Sequence, residues 1–185
     1  KQAGFAGIML EDQVSPKRCG HTGVKQVVER DVAIERITAA VEARRQGADL
    51  VIVARTDARS AFAERYGQQR ALDEALWRLK AFADLGADVL FFEAPRSEEE
   101  MLRFCSEVPG KRMANMLEGG VTPLLLPEQL GAMGFHLVAY PLTLLASAAY
   151  AMRQAVTDLQ NGKTPDNMLS FSELKDLVRF DAYDE

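Results

Sequence analysis

The sequence predicts an α/β protein built from consecutive strand–helix units, and three observations carry that expectation. First, a phrase recurs: "KQAGFAGIMLED", "RRQGADLVIVARTD", "ADLGADVLFFEAP" and "AMGFHLVAYP" each set a Gly, one to four residues, a short apolar run and then polar groups. A Gly closes a helix in the left-handed conformation, and an unalternating apolar run suits a parallel strand covered on both faces. Second, the segments between these phrases carry apolar residues at helical spacing. Third, the units recur every 25 to 40 residues or about that, the size of a βα repeat. Such units build either a doubly wound sheet or a (β/α)8 barrel. No G-x-G-x-x-G or G-x-x-x-x-G-K-[ST] loop follows any strand, which weighs against nucleotide binding.

Taken in order, the first strand lies in "GIML" and ends at Glu11 and Asp12. "ERDVAIERITAAVEARRQ" follows as a helix with Ile34, Ile37 and Val41 on one face. "VIVA" is the second strand, with Arg55 and Asp57 at its tip, and "RALDEALWRLKAFADLG" repeats the helical pattern with Leu72, Leu76, Leu79 and Phe82. "VLFF" is the third strand, tipped by Glu93. Ser97, with Glu100 three positions on, is a capping box opening the next helix. "KRMANML" at 111–117 is a weaker fourth strand carrying Asn115, Pro127 with Glu128 opens the helix after it, and the fifth strand follows His136 in "AMGFHLVAYP". "LTLLASAAYAMRQAVTDLQNG" reads as a long helix stopped at Gly162, and Ser172 as the start of a short last one. Trp77 and the other aromatics on these helices are assigned to the core.

The bulk numbers narrow the function class. The chain has 185 residues, 48% hydrophobic, enough for a sizeable core in one domain. A net charge of -5, a pI near 5.2 and cations interspersed with acids argue against nucleic-acid binding. The apolar runs fall far short of a membrane span, and no signal-peptide pattern opens the chain. Cys19 lies among cations and Cys105 in a helical stretch, which is no disulfide framework, so a reducing, cytoplasmic location is expected. Cys105 reads as core. The chain begins at Lys1 without Met and runs straight into a strand, and a barrel needs eight strands where five are legible. The expectation is the later part of a longer protein.

The carboxyl ends of parallel strands share one face, where sites form. The tips there are Glu11, Asp12, Arg55, Asp57, Glu93, Asn115 and "YPLT" at 140–143, which includes Pro141. Carboxylates can hold a cation, an arginine can fork onto a carboxylate, and an amide can orient an oxygen. Read singly, each is as well a surface salt bridge or loop anchor; Asp57 could instead cap the next segment, and Glu118 with Gly119 and Gly120 reads as a tight turn. Beside them stands "SPKRCGHTG", where Lys17, Arg18 and His21 surround Cys19 with the positive charge that lowers a thiol pKa. His21 and His136 lie on different units, so hard oxygen ligands point to Mg2+ or Mn2+ rather than zinc. A cation, an arginine and a reactive thiol together suggest a substrate bearing carboxylates or forming an enolate. Cys19 as a nucleophile is the alternative, although no His–Asn or His–Asp partner is legible.

With "EDQ", "PKRCGH", "ARTDA", "FFEAP", "ANMLEGG", "TP" and "YPLT" in place, the sequence resembles the isocitrate lyase and phosphoenolpyruvate mutase superfamily along essentially its whole length. The resemblance implies a (β/α)8 TIM-type barrel, of which residues 1–185 supply about the last five βα units plus C-terminal helices, as the C-terminal portion of a single barrel domain. It implies a homotetramer with a C-terminal helix exchanged between neighbours. In the lyase branch Mg2+ holds a 2-hydroxy acid, carbon–carbon cleavage leaves an enolate, and the motif cysteine protonates it. That acid is Cys19 here, with Lys17, Arg18 and His21 as its catalytic surroundings. Glu11 is implied in the metal shell, Arg55 on the 2-oxoacid carboxylate, and Gly20, Glu93, Asn115 and Pro141 on the substrate side, with Gly20 and His21 in a gating loop.

The implied reaction is Mg-dependent cleavage of a substituted 2-hydroxy di- or tricarboxylate, of 2,3-dimethylmalate or 2-methylisocitrate type, to a 2-oxoacid such as pyruvate and a saturated acid. "ANMLEGG" and "GFHLVAYPLT" are more similar to the dimethylmalate branch and its plant petal relative than to the methylisocitrate branch. Alternatives in the superfamily are an oxaloacetate hydrolase or decarboxylase and a carboxyvinyl-carboxyphosphonate phosphorylmutase-like enzyme; mutases lack the cysteine motif. The family's principal metal-binding aspartates lie on the first three strands, upstream of Lys1. A catalytically silent relative or fragment that binds carboxylates or partner chains is therefore the reading from another class.

Overall fold

A computed structural model describes residues 4–17 and 25–183 of the chain. Five strands, β1 (Gly7–Glu11), β2 (Val51–Thr56), β3 (Val89–Phe92), β4 (Lys111–Asn115) and β5 (Leu137–Ala139), form one parallel sheet in that order. Each strand pairs with its sequence neighbour, Glu11 opposite Arg55, Arg55 opposite Phe91, and Phe91 opposite Met113. A doubly wound sheet needs a reversal of strand order at a switch point. None occurs between β1 and β5, and since parallel crossovers are right-handed the helices collect on one face. The result is an arc of a (β/α)8 barrel, the expected class. Within the described residues β1 and β5 each pair on one side.

Side-chain parity explains what each face carries, because successive residues of a strand point to opposite faces. In β2, Ile52, Ala54 and Thr56 are buried towards the helices while Val51, Val53 and Arg55 face the other way. All four residues of β3, "VLFF", are buried. The helical layer consists of α1 (Arg30–Arg45), α2 (Ala58–Tyr66), α3 (Gln68–Leu85), α4 (Glu98–Glu107) and α5 (Pro127–Met133). Helix α3 buries Leu72, Leu76, Leu79 and Phe82, the predicted stripe, together with Ala71, Ala75 and one cation, Arg78. Helix α1 buries Ala33, Ile37 and Val41, with Ile34 only half-buried beside them. Gly86 (φ 102°) and Gly134 (φ 106°) end α3 and α5 in the left-handed conformation, which the repeated phrase predicted.

Several expectations are corrected. Helix α2 was not anticipated, because the apolar residues of "ARSAFAERY" are scattered around the helix rather than along a stripe. Trp77 is not core: it is 38% exposed, and the Arg30 guanidinium stacks 3.9 Å from its ring. Ser97 does cap α4, its Oγ accepting from the Glu100 N–H at 3.3 Å, but the Glu100 carboxylate turns instead to Arg59 and to the Arg96 N–H. The last helix, α7 (Phe171–Leu177), is opened by Ser170 rather than Ser172, because Ser170 and Glu173 form a reciprocal capping box.

The chain divides into two compact units, Lys1–Pro141, which holds the sheet, and Leu142–Glu185. The second unit comprises α6 (Thr143–Gln160), α7 and a 3-10 turn (Phe180–Tyr183). No residue of α6 or α7 is buried. Among the described residues no helix is long and apolar enough to cross a membrane. Cys105 is free and half-buried against the core, where burial pushes its thiol pKa up against the opposing pull of Arg112.

Candidate active site

Period-2 parity brings the site together. Glu11 and Arg55 are paired across β1 and β2; Asp57 lies two residues past Arg55, Glu93 two past Phe91, and Asn115 two past Met113. All therefore project from the same face at the C-terminal edge of the sheet. There they meet a cavity of about 660 Å³ whose polar lining includes Gln13, Lys17, Lys25, Arg55, Glu93 and Asn115. The β4–α5 connection closes part of the rim through Gly119, Gly120 and Thr122. Gly120 donates its N–H to the Leu117 carbonyl at 3.0 Å, the tight turn predicted, and a Cβ there would lie 3.0 Å from that same oxygen.

Asp57 is the electrostatic hub. Its side chain is fully buried, accepting from Arg55 Nε and Nη2 at 2.9 Å each and from Lys25 Nζ at 2.6 Å. Arg55 also lies 3.3 Å from Glu11 Oε2 and 3.3 Å from Glu93 Oε1, and Lys25 reaches Glu93 Oε1 at 3.4 Å. Lys17 pairs with Glu11 at 2.9 Å. Although Asp57 occupies the position that opens α2, its side chain caps nothing there. Its carboxylate belongs to the two cations.

Burial pushes the Asp57 carboxyl up, but the hydrogen bonds and charge of Arg55 and Lys25 outweigh this and leave it below its ordinary value. A depressed carboxyl contributes stability that is present above the pKa of the unfolded chain, about 3.9, and is lost as pH falls through the lower folded value. Asp57→Asn is therefore expected to be less stable than the parent at neutral pH, with the gap shrinking as pH drops below about 4. Denaturant midpoints between pH 7 and 3 measure it. A pH-independent gap would show that Asp57 is already neutral in the fold.

Of the sequence-predicted residues, Lys17, Arg55, Glu93 and Asn115 line the cavity. Glu11 sits beside it through Arg55 and Lys17, and Pro141 follows β5 without lining it. Arg18, Cys19, Gly20 and His21 lie outside the described residues. The sequence reading missed Lys25, which stands alone in "VKQVV" with no motif to flag it, and Gln13, whose strand parity with Glu11 could have found it. It also missed Ala94, a lining residue at φ 58° immediately before Pro95. A non-glycine residue held there is backbone strain of the kind stored at functional sites.

Among the described residues no group of three His, Cys, Asp or Glu is arranged to hold a metal ion. The donors near the cavity are carboxylate and amide oxygens, and Glu93 Oε2 is buried without a hydrogen-bond partner. That fits a hard, largely hydrated cation taking one or two carboxylates and does not fit a closed zinc site.

Fold and site together define a parallel βα-barrel protein with a cluster of paired carboxylates and cations beside a cavity at the strand tips. The family profile described as phosphoenolpyruvate phosphomutase matches residues 1–160, and the chain belongs to that family. It is 42% identical over 182 residues to 2,3-dimethylmalate lyase of Eubacterium barkeri, covering 96% of this chain and 60% of the relative. It is 41% identical over 188 residues to probable 2-methylisocitrate lyase 1 of Corynebacterium glutamicum, covering 99% and 59%. Among solved structures, 2,3-dimethylmalate lyase superposes with a TM-score of 0.80 at 33% identity, covering 98% of this chain and 59% of that one. Oxaloacetate acetylhydrolase, solved with 3,3-difluorooxalacetate, gives 0.78 at 35% identity, covering 98% and 62%. The chain thus spans about three fifths of the length of these relatives.

Proposed function

We propose that the protein is a Mg2+-dependent carbon–carbon lyase that cleaves a substituted 2-hydroxy di- or tricarboxylate to a 2-oxoacid and a saturated acid. The observation that carries this reading is Arg55, a guanidinium clamped by a buried aspartate at the strand tips and presented to a cavity of small-molecule size. Its Nε and Nη2 are committed to Asp57, so the edge offered to a ligand carboxylate is the one bearing Nη1.

In this reading the 2-oxoacid half of the substrate lies on Arg55, with Glu93 and Asn115 beside it and Gly20 on the substrate side. The 2-hydroxyl gives up its proton to solvent, the adjacent carbon–carbon bond breaks, and the electron pair of that bond is left on the departing acid as an enolate. The Cys19 thiol gives that carbon a proton, and the resulting thiolate is stabilised by Lys17, Arg18 and His21. Lys17, two residues before Cys19, lines the cavity. Glu11 and the unpaired oxygen of Glu93 are the residues that would hold Mg2+, which when bound supplies Lewis-acid stabilisation of negative charge developing on substrate oxygen. The chain would serve as the C-terminal portion of one barrel domain, in a cytoplasmic homotetramer.

The test supplies the protein with Mg2+ and, in turn, 2,3-dimethylmalate, 2-methylisocitrate, isocitrate and oxaloacetate, identifying products by mass with EDTA as control. Metal-dependent release of a 2-oxoacid with a saturated acid is the expected result and names the departing group. Oxalate with acetate would move the reading to oxaloacetate hydrolysis, which the likeness to oxaloacetate acetylhydrolase supports as the second possibility. No product from a folded protein would leave the silent carboxylate-binding reading.

A further inference from the structure

Behind the site, on the helix-facing side of the sheet, lies a buried charged pair that the reaction above does not use. Asp12 is 2% exposed and Arg78 1% exposed. Arg78 is the one cation on the otherwise apolar buried face of α3. Its Nη1 donates to Asp12 Oδ2 at 3.1 Å and to the Val28 carbonyl at 2.9 Å, while its Nε donates to Glu74 at 2.8 Å. Burying such a pair seldom adds stability over well-packed apolar side chains. Its retention on an apolar helix face asks for another account.

The bonds Asp12 makes supply one. Asp12 Oδ1 accepts the backbone N–H of Asp57 at 2.9 Å, and Oδ2 accepts the Thr56 hydroxyl at 2.6 Å. Thr56 Oγ1 in turn accepts the Ala58 N–H at 3.2 Å. Asp12 and Thr56 thus hold the N–H groups of Asp57 and Ala58, the two residues at the entry to α2. With its own N–H held by Asp12, Asp57 turns its carboxylate through to the opposite face, where it holds Arg55 and Lys25. The register of Asp12 is itself pinned, since Arg36 Nη1 donates to the carbonyls of Glu11 at 3.2 Å and Gln13 at 2.8 Å on either side of it.

We propose that Arg78, acting through Asp12, is a positioning residue that sets the Thr56–Asp57 turn and so aims Arg55 and Lys25 into the cavity. Arg78 neutralises Asp12 and fixes its orientation; Asp12 fixes the turn; the turn fixes the carboxylate that clamps the guanidinium. The chain of contacts crosses the sheet from α3 to the strand tips through direct hydrogen bonds. Its bearing on catalysis rests on the reading of Arg55 as the partner of the substrate carboxylate, whereas its effect on Arg55 itself does not.

The test compares Arg78→Gln with Val41→Ala, a core truncation near Gly86, at the other end of the helical layer from the strand tips. Two quantities are read in each, below its unfolding midpoint: hydrogen exchange of the Arg55 Nε–H by arginine-labelled NMR, and the affinity for oxalate in the presence of Mg2+. Arg78→Gln is expected to speed Arg55 Nε–H exchange and to weaken oxalate binding, each about tenfold or more, since small misplacements of a binding group have large effects. Val41→Ala should lose stability while leaving both quantities at the parent values. Arg78→Lys, which restores the charge, should recover part of the oxalate affinity. If Arg78→Gln does not fold, Thr56→Val removes one link of the relay without stranding a charge, and the same changes are expected in smaller measure. Unchanged exchange and affinity in a folded Arg78→Gln or Thr56→Val would overturn the proposal and leave the pair a structural one. Faster Arg55 exchange in a protein whose parent does not bind oxalate would support the relay and remove the lyase reading instead.

Discussion

Replacement of Arg55 by alanine is expected to remove 2-oxoacid binding and to destabilise the fold by about 3–5 kcal/mol, the usual cost of stranding one member of a buried charge pair. The reason is local. Arg55 is the cation shared by Glu11, Asp57 and Glu93, and without it Lys25 is left to serve Asp57 and Glu93 while Lys17 serves Glu11. With its principal partner gone, burial draws the Asp57 carboxyl up from the depressed value it has beside Arg55, and only Lys25 still opposes this. The pH dependence then weakens, because a carboxyl less depressed in the fold loses less stability as pH falls through its folded value. Arg55→Ala should therefore close part of its stability gap to the parent as pH falls below about 4, which denaturant titration at several pH values measures. Arg55→Lys keeps the charge but loses the fork. It should fold, and bind oxalate weaker by about 1.5–3 kcal/mol, tenfold or more. An Arg55→Ala protein that binds oxalate as the parent does would dismiss Arg55 as the carboxylate partner.

For Cys19→Ser the expected result is the opposite division of effects. Serine is nearly the same size, so oxalate affinity should stay within about threefold, a difference of under ~1 kcal/mol. Turnover should fall by about 10²–10⁴-fold, the typical contribution of a positioned general acid. A hydroxyl among Lys17, Arg18 and His21 is not acidic enough near neutral pH to take over from a thiol. Single-turnover measurements on the preferred substrate separate binding from cleavage. Undiminished turnover would exclude Cys19 as the proton donor.

Much of the site was legible because strand geometry is periodic. Glu11, Arg55, Glu93 and Asn115 each end an apolar run, and strands that are parallel and consecutive must bring their ends to one edge. What escaped lies where no period operates. Lys25 belongs to no apolar run or helical period, and only the fold brings it within 2.6 Å of Asp57, 32 positions along the chain. Ala94 holds a left-handed backbone that its residue type does not announce. Asp57 read equally well as a helix cap, and the reason it is not one, that its carboxylate is taken by Arg55 and Lys25, depends on where the fold places Lys25 and not on "ARTDA" alone.

By itself the sequence determined the alternation of strands and helices, the buried stripe of α3, the glycine stops at Gly86 and Gly134, and the set of polar residues at the strand tips. These depend on near-neighbour effects: hydrophobic period, backbone conformation and capping within a few residues. The tertiary structure alone decided the strand order, and with it the barrel arc over the doubly wound sheet, because pairing between segments leaves no mark in either segment. It decided equally that Trp77 lies at the surface under Arg30 and that Arg78 lies inside against Asp12. A helical period reveals which face of α3 turns inward, but a buried cation is tolerated only where a partner waits, and that partner comes from the end of β1, 66 positions away.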